Sequence, residues 1–143
     1  MSADPYIPEI DNEPFEIKNK YHKSKIYYLF DRNNNRIYVG STTASFKKRM
    51  CDHLYDLRAW EGKRGNKIPR NYRSSFDILI QDEYEKGILE NFKCSSKREL
   101  EHRETEWIMA FREKNIEVVN KNVPNINTKP VLPHQFFPLP SPS

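Results

Sequence analysis

The chain has 143 residues, of which 36% are hydrophobic, 31% charged and 13% aromatic, with 24 Lys+Arg against 20 Asp+Glu and a formal net charge of +4. That length holds one small domain. Eight Tyr, eight Phe and two Trp are too many aromatics for a disordered chain, and a mean hydropathy of -0.91 excludes a membrane span.

Prolines punctuate the two ends. Pro5, Pro8 and Pro14 lie near the start, and Pro124, Pro130, Pro133, Pro138, Pro140 and Pro142 near the finish, with Pro69 alone between them. Proline lacks an amide donor and interrupts helices and sheet ladders. Residues 1–23 therefore read as an extended N-terminal arm, 24–123 as the folded unit and 124–143 as a Pro-rich tail. The first 17 residues carry five acids and no base, unlike a secretory signal. Cys51 and Cys94 make neither a disulfide framework nor a CxxC metal knuckle. Together these features lead us to expect an intracellular, non-secreted protein of the cytoplasm or nucleus.

In chain order, Lys25–Asp31 (KIYYLFD) and Arg36–Gly40 (RIYVG) read as two strands, joined through RNNN as an antiparallel hairpin. A four-residue loop sets Leu29 opposite Tyr38, with Tyr27 on the same face. A slip of one residue would separate the two tyrosines. Ser45 is a cap for a helix through about Trp60, with Phe46, Met50, Leu54 and Leu57 as its apolar stripe and Arg49 and His53 one turn apart beside it. Glu61–Arg70 reads as a flexible basic loop. Tyr72, Phe76, Leu79 and Ile80 suggest a second helix ending near Gly87, and Ile88–Lys93 a third strand. Ser96-x-x-Glu99 fits a capping box for the last helix. Its stripe of Leu100, Trp107, Ile108 and Phe111 has a carboxylate, Glu104, at the missing fourth position. A carboxylate turned toward a core needs a cation, hydrogen bonds or a raised pKa. The other reading places Glu104 at the wet edge of the stripe, paired with Lys97 or Arg103.

Charge is uneven. Residues 47–73 hold nine bases (Lys47, Lys48, Arg49, Arg58, Lys63, Arg64, Lys67, Arg70 and Arg73) against three acids. This local surplus exceeds the net charge of the whole chain and points to a polyanionic partner.

Taken in order, Lys25-Ile26-Tyr27, Tyr38-Val39-Gly40-Ser41-Thr42, Arg49-x-x-x-His53, Arg103-Glu104-Thr105-Glu106-Trp107-Ile108 and Val119-Asn120-Lys121-Asn122-Val123-Pro124 resemble the GIY-YIG nuclease superfamily, most closely its stand-alone phage and large-DNA-virus modules. The resemblance implies an α+β fold, a small three-stranded antiparallel sheet flanked by helices. It implies a metal-dependent DNA endonuclease using Mg²⁺ or Mn²⁺, with DNA as partner and with neither a membrane nor a small-molecule cofactor. By position, Tyr27 matches the general base. Tyr38 matches the second tyrosine lining the site, and Arg49 the arginine that holds the scissile phosphate. His53 matches a histidine that assists proton transfer, and Glu104 the metal ligand. Gly40 and Asn120 match structural positions near the site, and Asn120 is a recurrent asparagine after the last helix. Lys25 stands where the family has glycine, which puts a further cation beside the site, and Val39 replaces an isoleucine. Lys25, Lys47, Lys48, Arg58, Lys63, Arg64, Lys67, Arg70 and Arg73 are then DNA-backbone contacts. A chain this short leaves almost no room for a separate reader of sequence, so the expected specificity is low or structure-based. The alternatives are a catalytically inactive DNA-binding module of the same fold and an interaction protein acting through its tail.

Overall fold

The computed structural model describes residues 19–62 and 71–121. Residues 1–18 of the expected arm, most of the expected basic loop and the Pro-rich tail lie outside these residues, while Lys20–Lys23, expected as the end of an extended arm, form a 3-10 turn capped by Asn19, with Tyr21 packed against the core. The first strand, β1 (Lys25–Asp31), is buried from Ile26 to Asp31, as a run without polar alternation demands of a strand covered on both faces. It pairs antiparallel with β2 (Arg36–Thr42) in the expected register, Leu29 opposite Tyr38 and Tyr27 opposite Gly40. The turn is pinned from inside. Asp31 is 1% exposed and accepts hydrogen bonds from the Asn34 amide, the Asn34 side chain and Arg36, while Asn35 takes the left-handed φ of 53° that asparagine tolerates.

Helix α1 (Phe46–Trp60) starts where Ser45 accepts a hydrogen bond from the Lys48 amide. The next element departs from the expected second helix. α2 is a single turn, Phe76–Leu79, and both Tyr72 and Ile80 are exposed. Gly87 does not end a helix; it lies inside β3 (Glu85–Asn91), which begins three residues earlier than expected. Gly87 faces Tyr28 in the β1–β3 pair, and a Cβ there would sit 3.0 Å from the Tyr28 ring. The glycine serves that close approach.

Helix α3 (Lys97–Glu113) begins with Ser96 accepting from the Glu99 amide, and Glu99 reaches back to the Ser95 amide. Glu90 of β3 takes two hydrogen bonds from Arg103 and one from Trp107 Nε1, which fastens α3 to the sheet.

The sheet has four strands in the order β3-β1-β2-β4 and is mixed, which corrects the three-stranded antiparallel expectation. The addition is β4 (Glu117–Val118), two residues parallel to Arg36 and Ile37 of β2. So short a strand carries no alternation to read, and its pairing depends on where α3 delivers the chain. One face of the sheet packs Ile26, Tyr28, Phe30, Ile37 and Val39 against Leu100, Trp107, Ile108 and Phe111 of α3. The other packs Leu29 against Met50 and Leu57 of α1 and Phe76, Ile78 and Leu79 around α2. Among the described residues no helix is long and apolar enough to cross a membrane.

Candidate active site

β-strand alternation puts Tyr27, Leu29, Tyr38 and Gly40 on the face that α1 covers. The α1 turn that crosses this face carries Arg49 and His53, and the two converge on one atom. The Tyr27 hydroxyl lies 2.6 Å from His53 Nε2 and accepts a hydrogen bond from Arg49 Nε at 3.1 Å. The tyrosine is completely buried and His53 is 2% exposed. Burial pushes the Tyr27 pKa well above its ordinary value; Tyr38 adds to the rise and the Arg49 charge only opposes it. Burial also depresses His53 to about 4, with Arg49 contributing. At neutral pH the tyrosine is therefore protonated and the imidazole uncharged. In the tautomer that leaves Nε2 unprotonated, the bond runs from the Tyr27 hydroxyl to Nε2. Arg49 and His53 alone do not produce the phenolate that crowding around Tyr27 suggests, because desolvation outweighs the arginine.

Gly40 makes the tyrosine's position possible. A Cβ at residue 40 would lie 2.4 Å from Tyr27 Cζ and from its hydroxyl oxygen, so any side chain there displaces the ring. Tyr38 packs edge-on to His53 at 5.7 Å and tilted to Tyr27 at 6.3 Å, and Phe46 closes on Tyr27 at 5.6 Å.

Glu104 comes from the opposite face of the sheet. β4 covers only Arg36 and Ile37 and the Asn120 side chain covers Val39, so the outer edge of β2 is open beyond Val39, and α3 delivers its carboxylate to Ser41 there. Glu104 Oε1 accepts a 2.6 Å hydrogen bond from Ser41 Oγ. Burial raises the Glu104 pKa, while Ser41 and Arg49 pull it down. The wet-edge pairing does not occur: Lys97 bonds Glu101, and Arg103 bonds Glu90 and Glu106. Glu106 is thereby occupied as well. Asn120 is structural. Its amide donates to Val39 O at 2.7 Å and accepts from Val39 N at 3.0 Å, continuing the ladder as a side chain after β4 ends.

Tyr38, Arg49, His53, Glu104, Asn120, Tyr72, Arg73, Ser75 and Lys121 line one cleft of ≈ 300 Å³. The candidates Tyr38, Arg49, His53, Glu104, Arg73 and Asn120 are thus brought together, with Tyr27 and Gly40 beneath them. Lys25 is not in the cleft lining; its ammonium bonds Lys23 O and Ala44 O and ties the start of β1 to the segment before α1. Lys47 and Arg58 are exposed on α1, Lys48 pairs with Asp52, and Arg73 pairs with Asp56 at 3.6 Å. Lys63, Arg64, Lys67 and Arg70 lie outside the described residues. Sequence reasoning assigned no role to Ser41, Ser75 or Lys121. Strand alternation points Ser41 away from Tyr38, and only the open sheet edge makes it part of the site.

The residues fit a hydrated divalent cation. Among the described residues there is no cluster of three or more His, Cys, Asp or Glu. Glu104 offers a desolvated carboxylate with one oxygen already oriented by Ser41, and Mg²⁺ keeps most of its waters and needs few protein ligands.

The family model for the GIY-YIG catalytic domain matches residues 23–117. The UvrABC system protein C of Helicobacter pylori (strain Shi470) is 31% identical over 88 residues, which cover 52% of this chain and 14% of that protein. The chain thus matches a small part of that relative's length. No solved structure matches the chain. The match over residues 23–117, which contain the site that joins Tyr27, Arg49, His53 and Glu104, shows that the chain belongs to the GIY-YIG family and carries a GIY-YIG catalytic domain.

Proposed function

We propose that the protein is a metal-dependent endonuclease that hydrolyses DNA phosphodiester bonds with low or structure-based sequence specificity. The observation that carries this reading is the Tyr27 hydroxyl held between His53 Nε2 and Arg49 Nε, beneath a cleft that also holds Glu104. A phosphodiester entering the cleft meets the Arg49 guanidinium, a permanent planar cation suited to two phosphate oxygens. Water attacking that phosphate gives its proton to the Tyr27 oxygen as the tyrosine proton passes to the neutral His53; the water oxygen bonds to phosphorus, the opposite P–O bond breaks, and the departing DNA oxygen takes a proton from solvent. The Arg49 charge favours the negative charge that builds on the tyrosine oxygen during this relay. Glu104 would hold the Mg²⁺ or Mn²⁺ ion, whose charge compensates the oxygens of the pentacovalent phosphate. Lys47, Lys48, Arg58 and Arg73 extend positive charge along α1 and toward the cleft as DNA-backbone contacts, an interaction that weakens steeply with salt.

The test is nicking of supercoiled plasmid in Mg²⁺ or Mn²⁺ against the same reaction in EDTA, with Tyr27→Phe and Glu104→Ala alongside. Nicking by the wild type alone, abolished by EDTA, is expected. Variants that nick as well as the wild type would refute the assignment, and plasmid binding without nicking would identify an inactive DNA-binding module.

A further inference from the structure

Beside the cleft lies an aromatic cluster that the chemistry above does not use. Trp60 ends α1, Tyr72 stands just before α2, and Phe76 opens α2. Their ring centroids are separated by 4.9 Å for Trp60–Tyr72, 5.3 Å for Tyr72–Phe76 and 5.6 Å for Trp60–Phe76. Phe76 is fully buried, whereas Trp60 is 40% and Tyr72 42% exposed. The two outer rings are anchored on a buried third, and the Tyr72 hydroxyl is further held by a hydrogen bond donated to Asp77 Oδ1. Rigid exposed rings lose little conformational freedom when something stacks on them. Tyr72 also lines the cleft together with Arg49, Arg73 and Lys121, three cations against the Glu104 carboxylate.

We propose that Trp60 and Tyr72 form a stacking surface for an unpaired nucleobase of the strand whose phosphate rests on Arg49, so that the cleft selects DNA with bases splayed beside the cutting point over fully paired duplex. The proposal rests on the nuclease reading and supplies its source of selectivity. Both faces of a base inside a duplex are covered by neighbours, and only a base out of the stack has a face to offer an aromatic ring. Cations at the cleft hold the backbone while the rings take the base. Because every base has a π-face, the preference is for structure and not for sequence.

The chain has two tryptophans, and Trp107 is completely buried, so quenching of fluorescence by added DNA reports on Trp60. The experiment titrates the full chain in EDTA with oligothymidine, a splayed fork and a fully paired duplex of the fork's sequence. Oligothymidine is expected to quench the wild type and to leave the emission of Trp60→Leu unchanged. Trp60→Leu and Tyr72→Leu should each bind the fork roughly tenfold or more weakly, with duplex binding altered by less than about twofold. Leucine keeps an apolar contact with Phe76, and Trp60→Phe, which keeps a ring, should hold fork binding within about threefold of wild type. Absence of quenching in the wild type, or equal losses on fork and duplex, would overturn the proposal. Nicking in Mg²⁺ without quenching would overturn the stacking surface alone. Quenching and fork selectivity without nicking would uphold the surface and overturn the nuclease reading.

Discussion

The Tyr27 hydroxyl and His53 Nε2 share a 2.6 Å hydrogen bond in which neither partner is charged, the phenol raised and the imidazole lowered by the same burial. We propose that a proton moves along this bond from oxygen to nitrogen once substrate enters. Tyr27→Phe removes the hydroxyl that does this and is expected to lower plasmid nicking by about 10²–10⁴-fold, the usual contribution of a positioned proton-transfer group. DNA binding measured by anisotropy should change little, because the Arg49 guanidinium remains.

Gly40→Ala places a methyl group 2.4 Å from Tyr27 Cζ and from its hydroxyl oxygen. Overpacking of this kind costs about 1–3 kcal/mol. A lower melting temperature and loss of nicking comparable to Tyr27→Phe are expected together. A variant that nicked normally would contradict the close approach.

His53 makes stability depend on pH in a known direction. Its pKa is about 4 in the fold against 6.5 as an ordinary histidine. The unfolded chain therefore gains a proton first as pH falls. The stabilisation is present above about pH 6.5 and is lost as pH falls toward 4; its full size is about 3 kcal/mol. Glu104, with its raised pKa, acts in the opposite sense: burial penalises its charged form, a penalty relieved as pH falls. Comparing wild type with His53→Gln by denaturant unfolding cancels the Glu104 contribution. The gap between the two should shrink steadily from pH 7 to pH 4.5.

Asn120→Ala removes both side-chain bonds to Val39 and leaves a buried strand without its outer partner at that point. A loss of about 1–3 kcal/mol is expected from the unsatisfied groups. Hydrogen exchange at the Val39 amide should accelerate more than exchange at the β1 amides.

Ser41→Ala takes from Glu104 the hydrogen bond that holds down its pKa and fixes its orientation. Loss of an outer partner to a metal-ligating carboxylate typically weakens metal affinity by about 10–100-fold. The Mg²⁺ concentration giving half-maximal nicking should rise accordingly, with maximal nicking largely recovered at saturation. An unchanged Mg²⁺ dependence would separate Ser41 from the metal.

The sequence was most readable where a feature is local and periodic. The hairpin register follows from the RNNN loop, α1 from Ser45 and its stripe, and α3 from Ser96 and its own. The same periodicity set Arg49 beside His53 and singled out Glu104. Two elements misled. Tyr72, Phe76, Leu79 and Ile80 have helical spacing, yet two of these four side chains face solvent and the helix lasts one turn. Gly87 looked like a terminator, but its reason is the Tyr28 ring across the sheet. Neither the parallel β4 nor the reach of Glu104 around the β2 edge has a local signature. Both depend on where a long helix delivers the chain, and that is settled by packing on the sheet.

β4 and Asn120 also fix where the chain passes the cleft. Asn120 is stitched to Val39, and the next residue, Lys121, already lines the cleft. Any module joined after this point would be tethered at the threshold of the cutting site, and its own grip on DNA would act at a lever arm of a few residues. That makes the junction after Lys121 a natural graft point: a DNA-reading domain fused there could redirect cleavage without altering one residue of the sheet.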